Sequence, residues 1–359
     1  MPPGSNPRYP PAQILSAACR TDSSWHRGLM QDIAAHHHLV FRQTGHPAAV
    51  LELETTAGLR PPGEGEVLVR LLAAPINPAD LNTIEGTYGI KLELPATPGI
   101  EGCGEVEASG SPEFQVGERV IFLRRAATWA SHALVPAATL FKVPAELDPL
   151  QAAILKVNPA TAWQLLHAFG KPDPDAYIVQ NAGNSAVGRC VIQVARDLGI
   201  RTISFVRREE LGAELRELGA DHVFTDNDSG VAAAKEAMGG ANAALAFNAV
   251  GGDSALRLMK LLQQGGSHIT YGAMGKKPVT IPNGLLIFRD LQIRGLWITQ
   301  WLETTPVDAV AAVYRDLAAR VAAGKLVQPV DSTFSISHFR DALARLESPH
   351  RSGKVLLVP

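Results

Sequence analysis

Few side chains in this sequence have the type and setting to do chemistry. Tyr88 stands in Gly86-Thr87-Tyr88-Gly89-Ile90, a glycine-flanked stretch that reads as a loop. A phenol with an ordinary pKa of about 10 keeps its proton at neutral pH, so it can hydrogen-bond a developing oxyanion and then supply the proton. The competing reading is a ring packed against its own loop. Farther along, Asn181-Ala182-Gly183-Asn184-Ser185-Ala186-Val187-Gly188 follows the apolar run Tyr177 to Gln180 and precedes an apolar helical pattern. A turn from strand to helix offers backbone amides and the positive end of the helix dipole to a pyrophosphate. Only Gly183 and Gly188 match a glycine-rich fingerprint, so the context carries this reading, and an ordinary strand-to-helix turn competes with it. About 20 residues beyond such a loop, an NAD-binding fold places an acid on the ribose hydroxyls. Here the position holds Val206-Arg207-Arg208. Arginine favours the doubly ionised 2′-phosphate of NADPH, whereas pairing of both arginines with Glu209 and Glu210 is the surface alternative.

The elements that would position these residues change character along the chain. From Val40 to about Val143, short β-branched runs such as Val67 to Leu72 and Gly117 to Phe122 are broken by Gly and Pro, as in a compact β-rich domain. From Ala176, strand-like runs alternate with helical patterns: Tyr177 to Gln180, Val187 to Leu198, Thr202 to Val206, Leu211 to Leu218, His222 to Thr225, Ala243 to Ala249, Ser254 to Leu262, His268 to Tyr271 and Leu291 to Ile298. That alternation predicts βαβ units, a parallel sheet and right-handed crossovers. The tail from Val307 returns to a helix, the run Thr333 to Ile336, a helix from His338 and a last strand Val355 to Val358. The fold class expected is therefore α/β, a Rossmann doubly wound parallel sheet inserted in a β-rich domain, which the family resemblance given below implies to be a GroES-like catalytic domain. Its divisions are an extension over 1–38, expected to be disordered, a catalytic domain of 39–157 and 299–359, and a dinucleotide-binding domain of 158–298.

Composition narrows the partners. With 33 basic and 35 acidic residues interspersed and a net charge of −2, no electrostatic track for nucleic acid is visible, and no apolar run suits a membrane span. The 3 cysteines, Cys19, Cys103 and Cys190, form no Cys-x-x-Cys pair, which suits a reducing compartment and neither a disulfide framework nor a thiolate cluster. The N-terminal segment lacks a secretory core; its Arg8, Arg20 and Arg27 leave a mitochondrial transit segment as an alternative to plain disorder, and Met30 is an alternative start. The tract His36-His37-His38 is read as solvated rather than ligating. Pro95-Ala96-Thr97-Pro98-Gly99-Ile100-Glu101-Gly102-Cys103-Gly104 resembles the Gly-His-Glu segment of zinc alcohol dehydrogenases, but Ile100 replaces the histidine ligand and Asn77 a cysteine ligand. A catalytic zinc needs three protein ligands, so no metal is expected and Glu101 is given a structural role.

Several stretches together resemble the mitochondrial trans-2-enoyl-thioester reductases and their bacterial relatives, zinc-free members of the medium-chain dehydrogenase/reductase superfamily. They are Asn77-Pro78-Ala79-Asp80-Leu81-Asn82, Gly86 to Ile90, Val157-Asn158-Pro159-Ala160-Thr161-Ala162, Gln180 to Ala182 with Asn184 to Gly188, Tyr271-Gly272-Ala273-Met274, and Ile293-Arg294-Gly295-Leu296-Trp297. The resemblance covers nearly everything from Leu39 onward. It implies NADPH as cofactor and Tyr88 as proton donor in reduction of an enoyl-CoA or enoyl-acyl carrier protein. It also implies cofactor contacts from Asn158, Asn184, Ser185, Ala186, Val187 and Arg207 or Arg208. Tyr271, Gly272, Ala273, Met274, Leu296, Trp297 and Ile298 would wall the nicotinamide and acyl pocket, Lys354 would lie near the cofactor, and a homodimer would form through Leu285 to Ile298. The residues themselves leave alternatives: Asn158 before Pro159 also suits a helix cap, and Trp297 also suits core packing in a strand. The other activities considered are an NADPH-dependent quinone or 2-alkenal reductase and a non-catalytic NADPH-binding interaction protein. The compartment expected is the cytoplasm of a bacterium, with the mitochondrial matrix as the alternative.

Overall fold

A computed structural model describes residues 35–170, 172–349 and 351–359. Most of the expected extension, residues 1–34, lies outside the described residues. The boundary at residue 38 shifts, because the histidine tract opens strand β1 (His36–Phe41), paired antiparallel with β2 (Leu51–Thr56). His36 is buried there, with its ring stacked on His38 at 4.7 Å. The tract is thus strand, with His37 exposed as expected of a solvated residue and His36 buried against that expectation.

The β-rich part continues with β3 (Glu66–Pro75), β4 (Cys103–Ser109), β5 (Arg119–Phe122), β6 (His132–Pro136) and β7 (Leu140–Lys142). The alternating part supplies β8 (Tyr177–Gln180), β9 (Arg201–Val206), β10 (His222–Thr225), β11 (Ala243–Asn248), β12 (Leu262–Thr270) and β13 (Gln292–Gly295). The tail adds β14 (Val330–Ser335) and β15 (Lys354–Val358). Strands β8 to β13 form one sheet in the order β10-β9-β8-β11-β12-β13, every pair parallel. This order reverses between β8 and β11, the topological switch point at which doubly wound folds bind dinucleotides. The ends of the chain meet in the other large sheet, where β15 lies antiparallel against β3 and parallel to β14. The dinucleotide fold is therefore inserted between two parts of the β-rich sheet, as the sequence suggests. One apolar core joins the two sheets, from Ala73, Cys103, Ile121 and Leu356 on one side to Ile178, Phe247 and Ile269 on the other.

Two local expectations change. The strand expected to run through Ile298 ends at Gly295, because its partner β12 ends at Thr270, whose carbonyl takes the Leu296 amide as the last rung. Trp297 instead precedes the helix Ile298–Thr304 and is 39% exposed, so packing in a strand core is not its role. Asn158 is the first residue of the helix Asn158–His167 and not its cap; Val157 takes the capping position, without a side-chain cap bond.

Candidate active site

Strand β8 ends at the buried Gln180 and hands the chain to a tight loop entering the helix Ala186–Asp197. Ser185 caps that helix, its hydroxyl accepting the Gly188 amide at 3.1 Å. A side chain at 188 would put a Cβ 2.5 Å from the Gly183 carbonyl oxygen, and one at 183 would meet the Ser204 Cβ at 2.7 Å. The two glycines therefore let the helix start press against the loop and the loop press against β9. Asn184, Ser185, Ala186 and Val187 are half-buried along this edge. The loop is also tied across the switch point. Asn181 Nδ2 donates to Asn248 Oδ1 and Ser254 Oγ, each at 2.8 Å, and its Oδ1 accepts the Ala249 amide at 2.7 Å. Ser254 in turn reaches Asp226 at 2.5 Å, and Arg257 pairs with Asp226 at 2.7 Å. Sequence reasoning passed over Asn181, Asn248 and Ser254 as site-forming residues; a polar amide ending each of two apolar parallel strands is the signal for them.

Arg207 and Arg208 follow the last residue of β9 and are exposed. Arg208 pairs with Glu210 at 3.4 Å, whereas no ion pair engages Arg207 among the described residues. The surface alternative thus describes Arg208, and Arg207 is the free guanidinium at the end of the second strand.

On the opposite wall, the helix Pro78–Ile84 runs into the Tyr88 loop, whose amides at Thr87 and Tyr88 both bond the Asn82 carbonyl. Trp297 Nε1 donates to the Tyr88 hydroxyl oxygen at 2.9 Å, with the two rings edge-on at 6.2 Å. That bond fills an acceptor position of the phenol and leaves its own hydrogen available to another group. Tyr88 is half-buried. Nearby segments behave unequally. The half-buried Tyr271 turns its hydroxyl toward Ser185 of the loop, and burial raises its pKa against that contact. Gly272 is half-buried, but Ala273 and Met274 are exposed, Met274 at 54%. Leu296 and Ile298 pack at the edge of the core.

A buried polar network ties the last strand to the segments at Asn77, Glu101 and Val157. Lys354 Nζ donates to Asn77 Oδ1, Asn77 Nδ2 donates to Glu101 Oε1 at 2.9 Å, and Glu101 Oε2 accepts the Val157 amide at 2.9 Å. Lys156 Nζ reaches the Ile100 carbonyl at 2.5 Å, and Asn77 N donates to Asp80 at 3.0 Å. Burial pushes Asp80 up to about 6, Lys156 down to about 8, Glu101 upward and Lys354 downward. The network includes Asn77 and the Ile100 carbonyl, the two positions that resemble zinc-ligand positions, and its residues do not fit that metal. Ile100 offers no donor atom, Asn77 has both amide atoms engaged, and the Lys354 ammonium would repel a cation. A dinucleotide fits better: Arg207 is unpaired, the glycine loop is close-packed, and Asn158, 5% exposed, holds an Nδ2 with no partner among the described residues.

The family model for zinc-binding dehydrogenases matches residues 186–313, and the model for the alcohol dehydrogenase GroES-like domain matches residues 63–145. The mitochondrial enoyl-[acyl-carrier-protein] reductase of Xenopus tropicalis is 38% identical over 331 residues, 89% of this chain and 94% of the relative. Among solved structures, the Etr1p complex with NADP and crotonyl-CoA superposes with a TM-score of 0.83 at 28% identity, over 91% of this chain and 100% of that one. A Bacillus thuringiensis protein named for NADPH:quinone reduction reaches a TM-score of 0.84 at 27% identity, over 90% and 99% of the two chains. The fold alone is thus shared by proteins named for different acceptors, while the identity and span of the sequence match are decisive: the chain belongs to the mitochondrial-type enoyl-thioester reductases of the medium-chain dehydrogenase/reductase superfamily.

Proposed function

We propose that this protein is an NADPH-dependent reductase of the carbon–carbon double bond in trans-2-enoyl thioesters, carried by coenzyme A or acyl carrier protein, with Tyr88 as the proton donor. The observation that carries the reading is the Trp297–Tyr88 hydrogen bond, which holds a phenol at the cleft with its own hydrogen uncommitted. NADPH supplies the hydride, which adds to the β-carbon. Negative charge then moves to the thioester oxygen as an enolate. The Tyr88 hydroxyl donates to that oxygen, and its proton reaches the α-carbon directly or through water. Arg207 meets the 2′-phosphate, the Asn184 to Val187 edge meets the pyrophosphate, and Asn158 and Lys354 contribute their free N–H groups to the cofactor.

The homologous reductase of Xenopus tropicalis and the NADP and crotonyl-CoA named for the Etr1p structure support this substrate and cofactor. The quinone-reductase neighbour makes the acceptor the point to test. NADPH consumption should be fast with a crotonyl thioester and slow with a quinone or a 2-alkenal; the reverse ranking would replace the reading with the quinone or alkenal one.

The domain limits we propose are those of the two sheets, with the dinucleotide fold at 158–298. We also propose a homodimer through Leu285 to Ile298. Strand β13 is an edge strand exposed along its whole length, and the adjoining helix Asn283–Arg289 exposes Ile287 at 70% and Phe288 at 78%. An unpaired edge beside apolar side chains is suited to a second chain. Among the described residues no helix is long and apolar enough to cross a membrane. The compartment we propose is a reducing one, the cytoplasm of a bacterial cell; the matrix is the alternative to which the mitochondrial relatives point.

A further inference from the structure

Glu101 is 1% exposed, yet among the described residues no ion pair joins it directly to a cation. A glutamine of the same shape would be less costly to bury if filling space were the only demand. What the carboxylate adds is two acceptor oxygens with no donor, used in opposite directions. Oε2 takes the amide of Val157, the residue before Asn158, and Oε1 takes the amide nitrogen of Asn77. An acceptor-only neighbour leaves Asn77 a single orientation, NH2 toward Glu101 and oxygen toward Lys354. Lys354 is 6% exposed, and Asn77 Oδ1 is the one acceptor its ammonium meets among the described residues. At the other end of the same chain of bonds, Asn158 Nδ2 has no partner among the described residues. Two underused buried donors, far apart in sequence, are therefore held by one carboxylate.

We propose that Glu101 is a positioning residue whose carboxylate, through the Val157 amide on one side and Asn77 on the other, sets Asn158 and Lys354 in place for NADPH. The inference rests on the functional reading above. It differs from a simple packing role for Glu101 in requiring the direction of each hydrogen bond, not merely the volume.

Reversing that direction is the test. Glu101→Gln turns one acceptor into a donor, so either the Val157 bond is lost or Asn77 must turn its NH2 toward Lys354. Adding Asn77→Asp restores the circuit with opposite polarity, since the new carboxylate accepts from both the amide at 101 and Lys354. NADPH binding, read by fluorescence without substrate, should weaken roughly 10- to 100-fold in Glu101→Gln, the range of a lost hydrogen bond to a charged group, and return to within about threefold of the original in the double variant. Unchanged affinity in folded Glu101→Gln, or a double variant no tighter than the single, overturns the proposal. Where Glu101→Gln does not fold, Asn77→Asp alone gives the answer. It sets two carboxylates together and should weaken NADPH by the same order, and ordinary affinity in it is equally fatal. If the unaltered protein binds no NADPH, the functional reading falls as well; normal binding by the variants removes this inference alone.

Discussion

The two walls of the cleft are held in opposite ways. On the parallel-sheet wall, Asn181, Asn248, Ser254 and Asp226 form a chain of buried side-chain bonds across the switch point, most of them at 2.5 to 2.8 Å. On the other wall the Tyr88 hydroxyl is held by one bond, from a tryptophan that is itself 39% exposed. A cofactor common to every turnover suits a prearranged seat, because ordering done at folding need not be repeated at binding. An acyl chain must enter and leave, and a half-exposed pair leaves that wall free to adjust. The comparison predicts that damage on the Tyr88 side falls on turnover with stability spared, while damage on the sheet side falls on cofactor binding or stability.

The largest effect expected is that of Tyr88→Phe, which keeps the ring and removes the hydroxyl. Loss of one positioned donor to a developing oxyanion costs about 100- to 1,000-fold in turnover. Crotonyl-thioester reduction should fall by that order while the melting temperature and NADPH affinity stay near their original values. Near-normal turnover would move the proton donor elsewhere and leave the two walls without the division of labour drawn here. Next in size is Arg207→Asp. A charge-assisted bond to the 2′-phosphate is replaced by repulsion, so NADPH should weaken roughly 10- to 100-fold while NADH changes little. Equal loss for both cofactors would mean that Arg207 serves the fold and not the phosphate.

Much of the sheet wall was legible in the sequence because parallel strands buried on both faces are nearly continuous apolar runs, as at Tyr177 to Gln180. The Arg207-Arg208 dipeptide could be placed but not divided, since only the fold shows that Glu210 engages Arg208. Trp297 was misassigned to a strand because apolar periodicity does not reveal where the neighbouring strand stops. Asn158 looked like a cap because Asn before Pro has that habit, yet helical geometry begins one residue earlier than the pair suggests. The network of Asn77, Glu101 and Lys354 was hidden for another reason. Its members lie in three distant segments, and nothing local in an Asn-Pro-Ala-Asp run or a last strand indicates that they meet.

Smaller is the effect of Trp297→Phe, which retains most of the ring packing but removes the donor to Tyr88. A single neutral hydrogen bond contributes about 0.5–1.5 kcal/mol, so turnover should fall about 3- to 10-fold. The double variant with Tyr88→Phe makes the test sharper. Once the hydroxyl is gone, the tryptophan has nothing left to orient, and its replacement should cost almost nothing more. Fully additive losses would show that Trp297 acts on the acyl group by itself.

The smallest effect concerns an irregularity on the sheet wall and leaves activity at neutral pH unchanged. His268, in β12, is fully buried, and no other described residue hydrogen-bonds either ring nitrogen. Burial lowers its pKa from 6.5 to about 4. The folded protein thus keeps this ring neutral where the unfolded chain would protonate it. Its contribution is fully present above pH 6.5 and is lost progressively as the pH falls toward 4. Asp80, raised by burial to about 6, acts in the reverse sense, since the folded state holds its proton more tightly and gains on acidification. His36, also lowered to about 4 by burial and by its neighbouring histidines, adds to the acid loss. Glu101, also raised by burial, acts as Asp80 does, so melting curves of the unaltered protein alone would mix several titrations. Comparison with His268→Leu isolates one of them: near pH 5.5 the linkage amounts to about 1 kcal/mol, a shift of a few degrees at most for a chain of this size. The variant should approach or pass the original protein in melting temperature as the pH falls from 7 to 5. Parallel curves over that interval would mean that the imidazole finds a partner or water in solution.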